Sequence, residues 1–272
     1  MAKAFSLVSW NVEHFKKEDD RVARVVDLVN AQRPDVFALY EVEGKVVFDA
    51  LTRRMPGYTF HITEGEAVQE ILVGVRSNMT AFFTQRLAFK SRVSSLRPGA
   101  LLTLTVASKH YPILFLHTKS GNDPRGLGLR DDMLVRACEF SRTLKDTPAT
   151  SGPANYLFLG DLNTMGMKYR HVPGHNIASA DELTKLTGEA ARFKMRMLSK
   201  DEPHTWPNGS TSMIPPSNLD HVVAANHLQF KSFGGADVSV RGWPKESTAA
   251  KQDAWIRRFS DHGLLYLEVQ RV

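Results

Sequence analysis

A short apolar run, Asn155-Tyr156-Leu157-Phe158-Leu159, stops abruptly at Gly160-Asp161-Leu162-Asn163. The run is short and almost wholly apolar, which reads as a strand buried on both faces. Its polar terminus, taken alone, is the signature of an Asx-turn. The same grammar recurs outward along the chain. Phe5–Trp10 ends on Asn11, Asp35–Tyr40 on Glu41, and Pro112–Leu116 on His117. Glu70 precedes Ile71–Val75, Asp220 precedes His221–Ala225, and Asp261-His262 precedes Gly263–Val269. Tyr58–Thr63, Ala81–Phe89, Ala100–Val106 and Leu228–Phe233 are further strand candidates.

Helical periodicity fills the gaps. Asp19 and Asp20 can cap a helix in which Val22, Val25, Val26 and Val29 share one face. Lys45–Met55 and Leu129–Lys145 repeat the pattern, the latter with Met133, Ala137, Phe140 and Leu144 inward. A last helix is predicted near Lys245–Arg258. Residues 165–219 hold few apolar runs and read as irregular, a feature that in a compact domain often carries function. No repeat or linker divides the chain. The economical reading is one domain over residues 1–272: α/β, two central mixed β-sheets flanked by helices.

Composition narrows the class. The 272 residues are 42% hydrophobic and 24% charged, which excludes disordered, collagen-like and membrane-embedded chains. A net charge of +6 permits a polyanionic partner without requiring one. The single cysteine, Cys138, rules out an intrachain disulfide. No signal peptide or run of about 18 apolar residues is visible. The expectation is a cytoplasmic monomer without stable membrane association, a secreted form being left open.

Strand ends in α/β sheets open onto a shared crevice. Asn11, Glu41, Glu70, His117, Asp161, Asn163, Asp220, Asp261 and His262 therefore have the opportunity to converge. A set of carboxylates, amides and imidazoles without cysteine suits a hard divalent cation, Mg²⁺ or Mn²⁺, better than zinc. Each residue singly has a plainer reading, as a turn, a cap or a hydrogen-bonded core histidine. Their conjunction is what points to chemistry.

The ordered motifs Ser9-Trp10-Asn11-Val12-Glu13, Leu39-Tyr40-Glu41, Phe115-Leu116-His117-Thr118, Leu159-Gly160-Asp161-Leu162-Asn163, Ser217-Asn218-Leu219-Asp220-His221 and Phe259-Ser260-Asp261-His262-Gly263 resemble those of the endonuclease/exonuclease/phosphatase superfamily, in its deoxyribonuclease I-like branch. The resemblance runs from residue 5 to 269 and implies a four-layered α/β sandwich. It implies that Asn11, Glu41 and Asp261 bind the metal, with Glu13 assisting. Asp161 and Asn163 would orient the attacking water and the phosphate. His262 would contact the scissile phosphate with Asp220 as its carboxylate partner, and His117 would form a second pair with Glu70. Arg97 would bind phosphate.

His117-Thr118-Lys119-Ser120 departs from the Tyr-x-Pro-Asn segment of apurinic-site endonucleases, which argues against abasic-site repair. Residues Lys119 to Arg130 read as a glycine-rich rim loop offering Lys119, Arg125 and Arg130 to phosphate. Trp206 could stack on a base or anchor its proline-rich loop. Arg192, Lys194, Arg196 and Lys200 form a basic run that could line one face. The expectation is a Mg²⁺/Mn²⁺-dependent phosphodiester hydrolase, an endonuclease acting on nucleic acid, DNA foremost. The alternatives are a phosphoesterase for inositol phosphates or phospholipid headgroups, and a catalytically silent nucleic-acid-binding module.

Overall fold

The computed structural model describes residues 2–15, 19–65, 69–145, 152–172, 174–207 and 209–272. Its strands are β1 (Lys3–Phe15), β2 (Val36–Val42), β3 (Tyr58–Ile62), β4 (Glu70–Arg76), β5 (Thr80–Arg86), β6 (Gly99–Val106), β7 (Lys109–His117), β8 (Leu157–Asp161), β9 (Met195–Met197), β10 (Asp220–Ala225), β11 (Ser239–Arg241) and β12 (Leu264–Gln270). Its helices are α1 (Asp19–Ala31), α2 (Lys45–Arg54), α3 (Pro124–Lys145), α4 (Ser179–Arg192) and α5 (Ala249–Arg258).

The strands form two mixed six-stranded sheets, ordered β11-β12-β1-β2-β4-β3 and β5-β6-β7-β8-β10-β9. Alternation along each central strand explains the layering. Leu7, Ala38, Leu157 and Leu159 point between the sheets, into a core shared with Phe115 and Val222. Their neighbours Val8 and Phe37 face a second core with the valines of α1 and Leu51 of α2. Phe158 faces a third, with Leu134 and Ala137 of α3 and Leu186 of α4. Strands buried on both faces have no polar side to keep wet, which is why they read as continuous apolar runs. Helix, sheet, sheet and helix are thus the four layers.

Strand direction gathers the polar ends. The neighbours β1 and β2 run parallel, as do β7 and β8. Antiparallel β10 begins where β8 ends, with Asp220 opposite Asp161, and His117 lies opposite Asp161 on the other side. Gly160 makes this approach possible: at φ 145° a Cβ there would lie 1.9 Å from the Leu116 carbonyl oxygen. Only glycine fits.

Several expectations need revision. Residues 179–192, within the stretch expected to be irregular, form a helix with Leu186 and Ala190 buried on its inward face and Asp181 and Glu182 in its first turn. Helix α3 starts at Pro124 rather than Leu129, because Asp123 Oδ1 accepts from the backbone N–H of Arg125 and Gly126 and proline suits the first turn. Residues 228–233 contribute isolated bridges at Phe230 and Phe233 rather than a strand, and Leu87–Lys90 is a 3₁₀ turn following β5. The last helix begins at Ala249, capped by the Thr248 hydroxyl. No helix among the described residues is long and apolar enough to cross a membrane.

Candidate active site

His262 and Asp220 form the tightest pair at the convergent strand ends, with Nδ1 2.8 Å from Asp220 Oδ2. The segment just before β12 is held in place around them. The backbone N–H of His262 donates to Ser260 Oγ, that hydroxyl donates to the Asn11 carbonyl, and Trp10 Nε1 donates to the His262 carbonyl. Burial by itself lowers the His262 pKa, but the charges of Asp220 and Asp161 outweigh it and raise it to about 10. The ring is therefore an imidazolium at neutral pH, with Nδ1–H given to Asp220 and Nε2 3.8 Å from Asp161 Oδ2.

Asp161 is almost wholly buried, which pushes its carboxyl well above the usual range; His262 and the Asn11 amide oppose that shift. Its Oδ1 accepts from the Asn163 N–H, and its Oδ2 accepts from Asn11 Nδ2 at 2.9 Å. The same Asn11 Nδ2 donates to Glu41 Oε1 at 3.1 Å, so one amide bridges two carboxylates. Asn11 Oδ1 accepts the Glu13 N–H, and Glu41 Oε2 accepts the His14 N–H. Glu13, His14 and Glu41 all occupy positive φ, at 44°, 45° and 63°. Strain of this kind is held in place by the surrounding structure and concentrates at functional sites.

His117 is buried with Nε2 3.5 Å from Asp161 Oδ2 and 3.8 Å from Glu41 Oε1. Burial, reinforced by the positive charges of Arg97 and His262, lowers its pKa well below 6.5, so this ring is neutral. The expected His117–Glu70 pair does not form. Glu70 opens β4 opposite Val42, and its Oε2 accepts the Thr63 hydroxyl across the strand connection. His117 Nδ1 has no hydrogen-bond partner among the described residues.

A model of the endonuclease/exonuclease/phosphatase family matches residues 8–262. The chain belongs to that family. No curated protein matches it. Among solved structures, D. rerio TDP2 humanised by 14 mutations is 16% identical, with TM-score 0.69 over 98% of both chains. D. rerio TDP2 complexed with single-strand DNA product gives the same TM-score of 0.69. A Bacteroides thetaiotaomicron mannosyl-6-phosphatase is 13% identical, with TM-score 0.63 over 98% of this chain and 99% of its own. The likeness establishes the fold, and the family's members hydrolyse phosphoester bonds.

The donors fit the divalent cation such a fold implies. The ligand atoms of Asp161, Asp220 and His262 lie within 4.8 Å of one another. His262, however, holds protons rather than offering a lone pair. The oxygen-rich flank of Glu41, Asp161 and Asn11 could hold a hard cation, with the amide turned to present its oxygen where its N–H₂ now separates two carboxylates. Asp261 adds a buried Oδ1 with no partner among the described residues. Glu13 lies close enough to Asp261 that their repulsion adds to burial in raising its pKa.

The family member's rim differs from expectation. Arg130 is fully buried and not at the rim: its Nε and Nη2 grip Glu182, while Nη1 and Nη2 reach the carbonyls of Lys119, Gly121 and Gly166. Its side chain points back along α3 beneath the loops it was expected to join. Arg125 lies in the first turn of α3, and Lys119 stays in the loop. Trp206 donates Nε1–H to Asp261 Oδ2 at 2.6 Å, which ties its loop to the site. Arg97 donates to the Gln69 backbone and side chain, and the charges of Glu41 and Asp161 act on it. Two cations of the basic run are paired, Arg192 with Glu189 and Arg196 with Asp237.

Two residues named in the sequence take roles that their sequence context did not assign them. Lys200 Nζ donates to the Asp220 carbonyl at 2.6 Å and to Asn218 Oδ1, behind the His262–Asp220 pair; burial lowers its pKa to about 8. Ser260 fastens the His262 turn to β1. Ser260 lies inside the motif that ends in Asp261-His262, whereas Lys200 reads only as one of a basic run.

Proposed function

We propose that this chain is a divalent-cation-dependent phosphodiester hydrolase acting on nucleic acid. The observation that carries the reading is the imidazolium of His262, locked by Asp220, facing the amide-bridged carboxylates Glu41 and Asp161 across a few ångströms. An imidazolium donates a proton or hydrogen bond to a phosphate oxygen, and the Asp161 carboxylate accepts a hydrogen bond from the attacking water and so orients it. A Mg²⁺ or Mn²⁺ ion held by Asn11, Glu41 and Asp161, with Asp261 beyond them, supplies charge stabilisation on the phosphoryl oxygens when bound. Asn163 is anchored through Nδ2 to the Thr118 carbonyl and stands beside Asp161 to orient phosphate. Neutral His117 donates or accepts without adding charge.

Nucleic acid is favoured as substrate by Arg97, which feels the charges of Glu41 and Asp161, by Lys119 two residues beyond His117, and by the net charge of +6. The single-strand DNA product bound by the D. rerio TDP2 neighbour is consistent with it. The mannosyl-6-phosphatase neighbour makes a small phosphate ester the rival. A turnover panel with Mg²⁺ or Mn²⁺ separates them: supercoiled plasmid, single-stranded DNA, RNA, an abasic duplex, inositol phosphates, a sugar phosphate and sphingomyelin, with His262→Ala as control. Cleavage of the polynucleotides supports the reading. Intact polynucleotides alongside hydrolysis of a small or lipid phosphate overturn it.

A further inference from the structure

Residues 165–177 leave the site directly after Asn163 and contain no carboxylate: Met-Gly-Met-Lys-Tyr-Arg-His-Val-Pro-Gly-His-Asn-Ile. Their base is firmly held. Met165 N–H donates to the Asn163 carbonyl, and Met165 Sδ accepts from the Gly121 N–H. Met167 and Ile177 exchange two backbone hydrogen bonds of 2.9 Å. Gly166 donates to Glu182 and accepts from Arg130, the buried pair beneath the rim. At φ 72° a Cβ on Gly166 would lie 2.3 Å from the Ile177 carbonyl oxygen, so the crossing requires glycine. Lys168 N–H donates to the Asn122 carbonyl, joining this loop to the one carrying Lys119.

Above that base stands an aromatic cluster. Tyr169, its backbone fixed by Asn176 Oδ1, meets His171 at 5.9 Å and His175 at 6.5 Å, both close to edge-on, and is 37% exposed. Lys168 and Arg170 flank it, and neither has an ion-pair partner among the described residues. A loop that packs no core yet carries an exposed ring between cations has the two elements that unpaired strands require. The ring offers a face for a base and the cations follow the backbone.

We propose that Tyr169, with Lys168, Arg170, His171 and His175, is a docking platform for an unpaired nucleotide of the substrate strand beside the scissile phosphate. This rests on the nuclease reading and makes it more specific. A base within a duplex is already stacked on both faces, so the platform favours single-stranded or frayed substrate over intact duplex. The Arg130–Glu182 pair keeps the platform in register with Asp161.

The test is fluorescence anisotropy of a short fluorescein-labelled oligonucleotide with the intact protein in EDTA, so that binding is read without cleavage. Tyr169→Ala is expected to weaken single-strand binding by about 5- to 150-fold. Tyr169→Phe, which keeps the ring, is expected to bind as the unaltered protein does. Arg170→Ala is expected to reduce the salt dependence by about one phosphate contact. The same sequence as a blunt duplex is expected to bind more weakly. Equal single-strand affinity for Tyr169→Ala and the unaltered protein overturns the platform, even if nucleic acid is cleaved. Conversely, strand binding that depends on Tyr169 without cleavage by Mg²⁺ or Mn²⁺ sustains the platform and overturns the nuclease reading.

Discussion

Two buried histidines, each within 3.8 Å of the same carboxylate oxygen, end up in different charge states. His262 has Asp220 at 2.8 Å, and its pKa rises to about 10. His117, equally buried, sits 3.5 Å from Asp161 without a hydrogen-bonded carboxylate, and its pKa falls well below 6.5. Burial penalises the charged ring in both cases; only a charge partner in direct contact reverses the outcome. The fold thereby brings an imidazolium and a neutral ring to the same Asp161 oxygen, at 3.8 and 3.5 Å.

The comparison breaks most severely when the charged ring is removed. His262→Ala is expected to lower metal-dependent turnover by about 10²–10⁴-fold, measured as kcat on the best substrate of the panel. Retained turnover would dissolve the distinction between the two rings.

Asp220→Asn tests the cause rather than the ring. With the carboxylate gone, the largest of the charges that raise the His262 pKa is removed, so that pKa falls and the alkaline limb of the pH–rate profile moves to lower pH. The stability sign follows from the raised pKa. The His262–Asp220 contribution is fully present below pH 6.5 and fades as pH rises through about 10. The variant's loss of stability is therefore largest at neutral and acid pH, and denaturant unfolding across that window checks it.

His117→Gln is expected to cost less, about tenfold or under in turnover, because a neutral hydrogen-bonding group is replaced by another. Its sharper signature is in stability. A histidine whose folded pKa is depressed binds more protons when unfolded, so the protein loses stability as pH falls below 6.5. The variant should show a shallower fall in melting temperature from pH 7 to 5. An unchanged slope would mean that His117 is not held neutral.

The smallest effect is expected at Glu70. Bonded to Thr63 and not to His117, it should respond to Glu70→Gln with a smaller turnover change than His117→Gln produces. An equal loss, with no added loss in the double variant, would restore the histidine–acid pair that the geometry denies.

Much of the site was legible because it lies at strand ends. An apolar run that stops on a polar residue marks both a buried strand and the point where it reaches solvent, so Asn11, Glu41, His117 and Asp161 declared themselves by position. Arg130 and Glu70 did not. A charged residue on a helix reads as exposed until the loop it grips is known, and a carboxylate at the start of a strand has a partner on either side. Helix α4 carried a signal of its own, Leu183, Leu186 and Ala190 at helical spacing behind an acidic first turn, but it lies within a stretch whose many turn residues read as irregular.

By itself the sequence determined the two-sided burial of the strands, the sandwich they make and the identity of the polar groups at one end, since period and chemistry are local properties. Only the tertiary structure decided which histidine is charged, which arginine is a buried brace and which carboxylates the Asn11 amide bridges. Those outcomes depend on distances of a few ångströms between residues far apart in the chain, where Coulomb energy and desolvation change steeply.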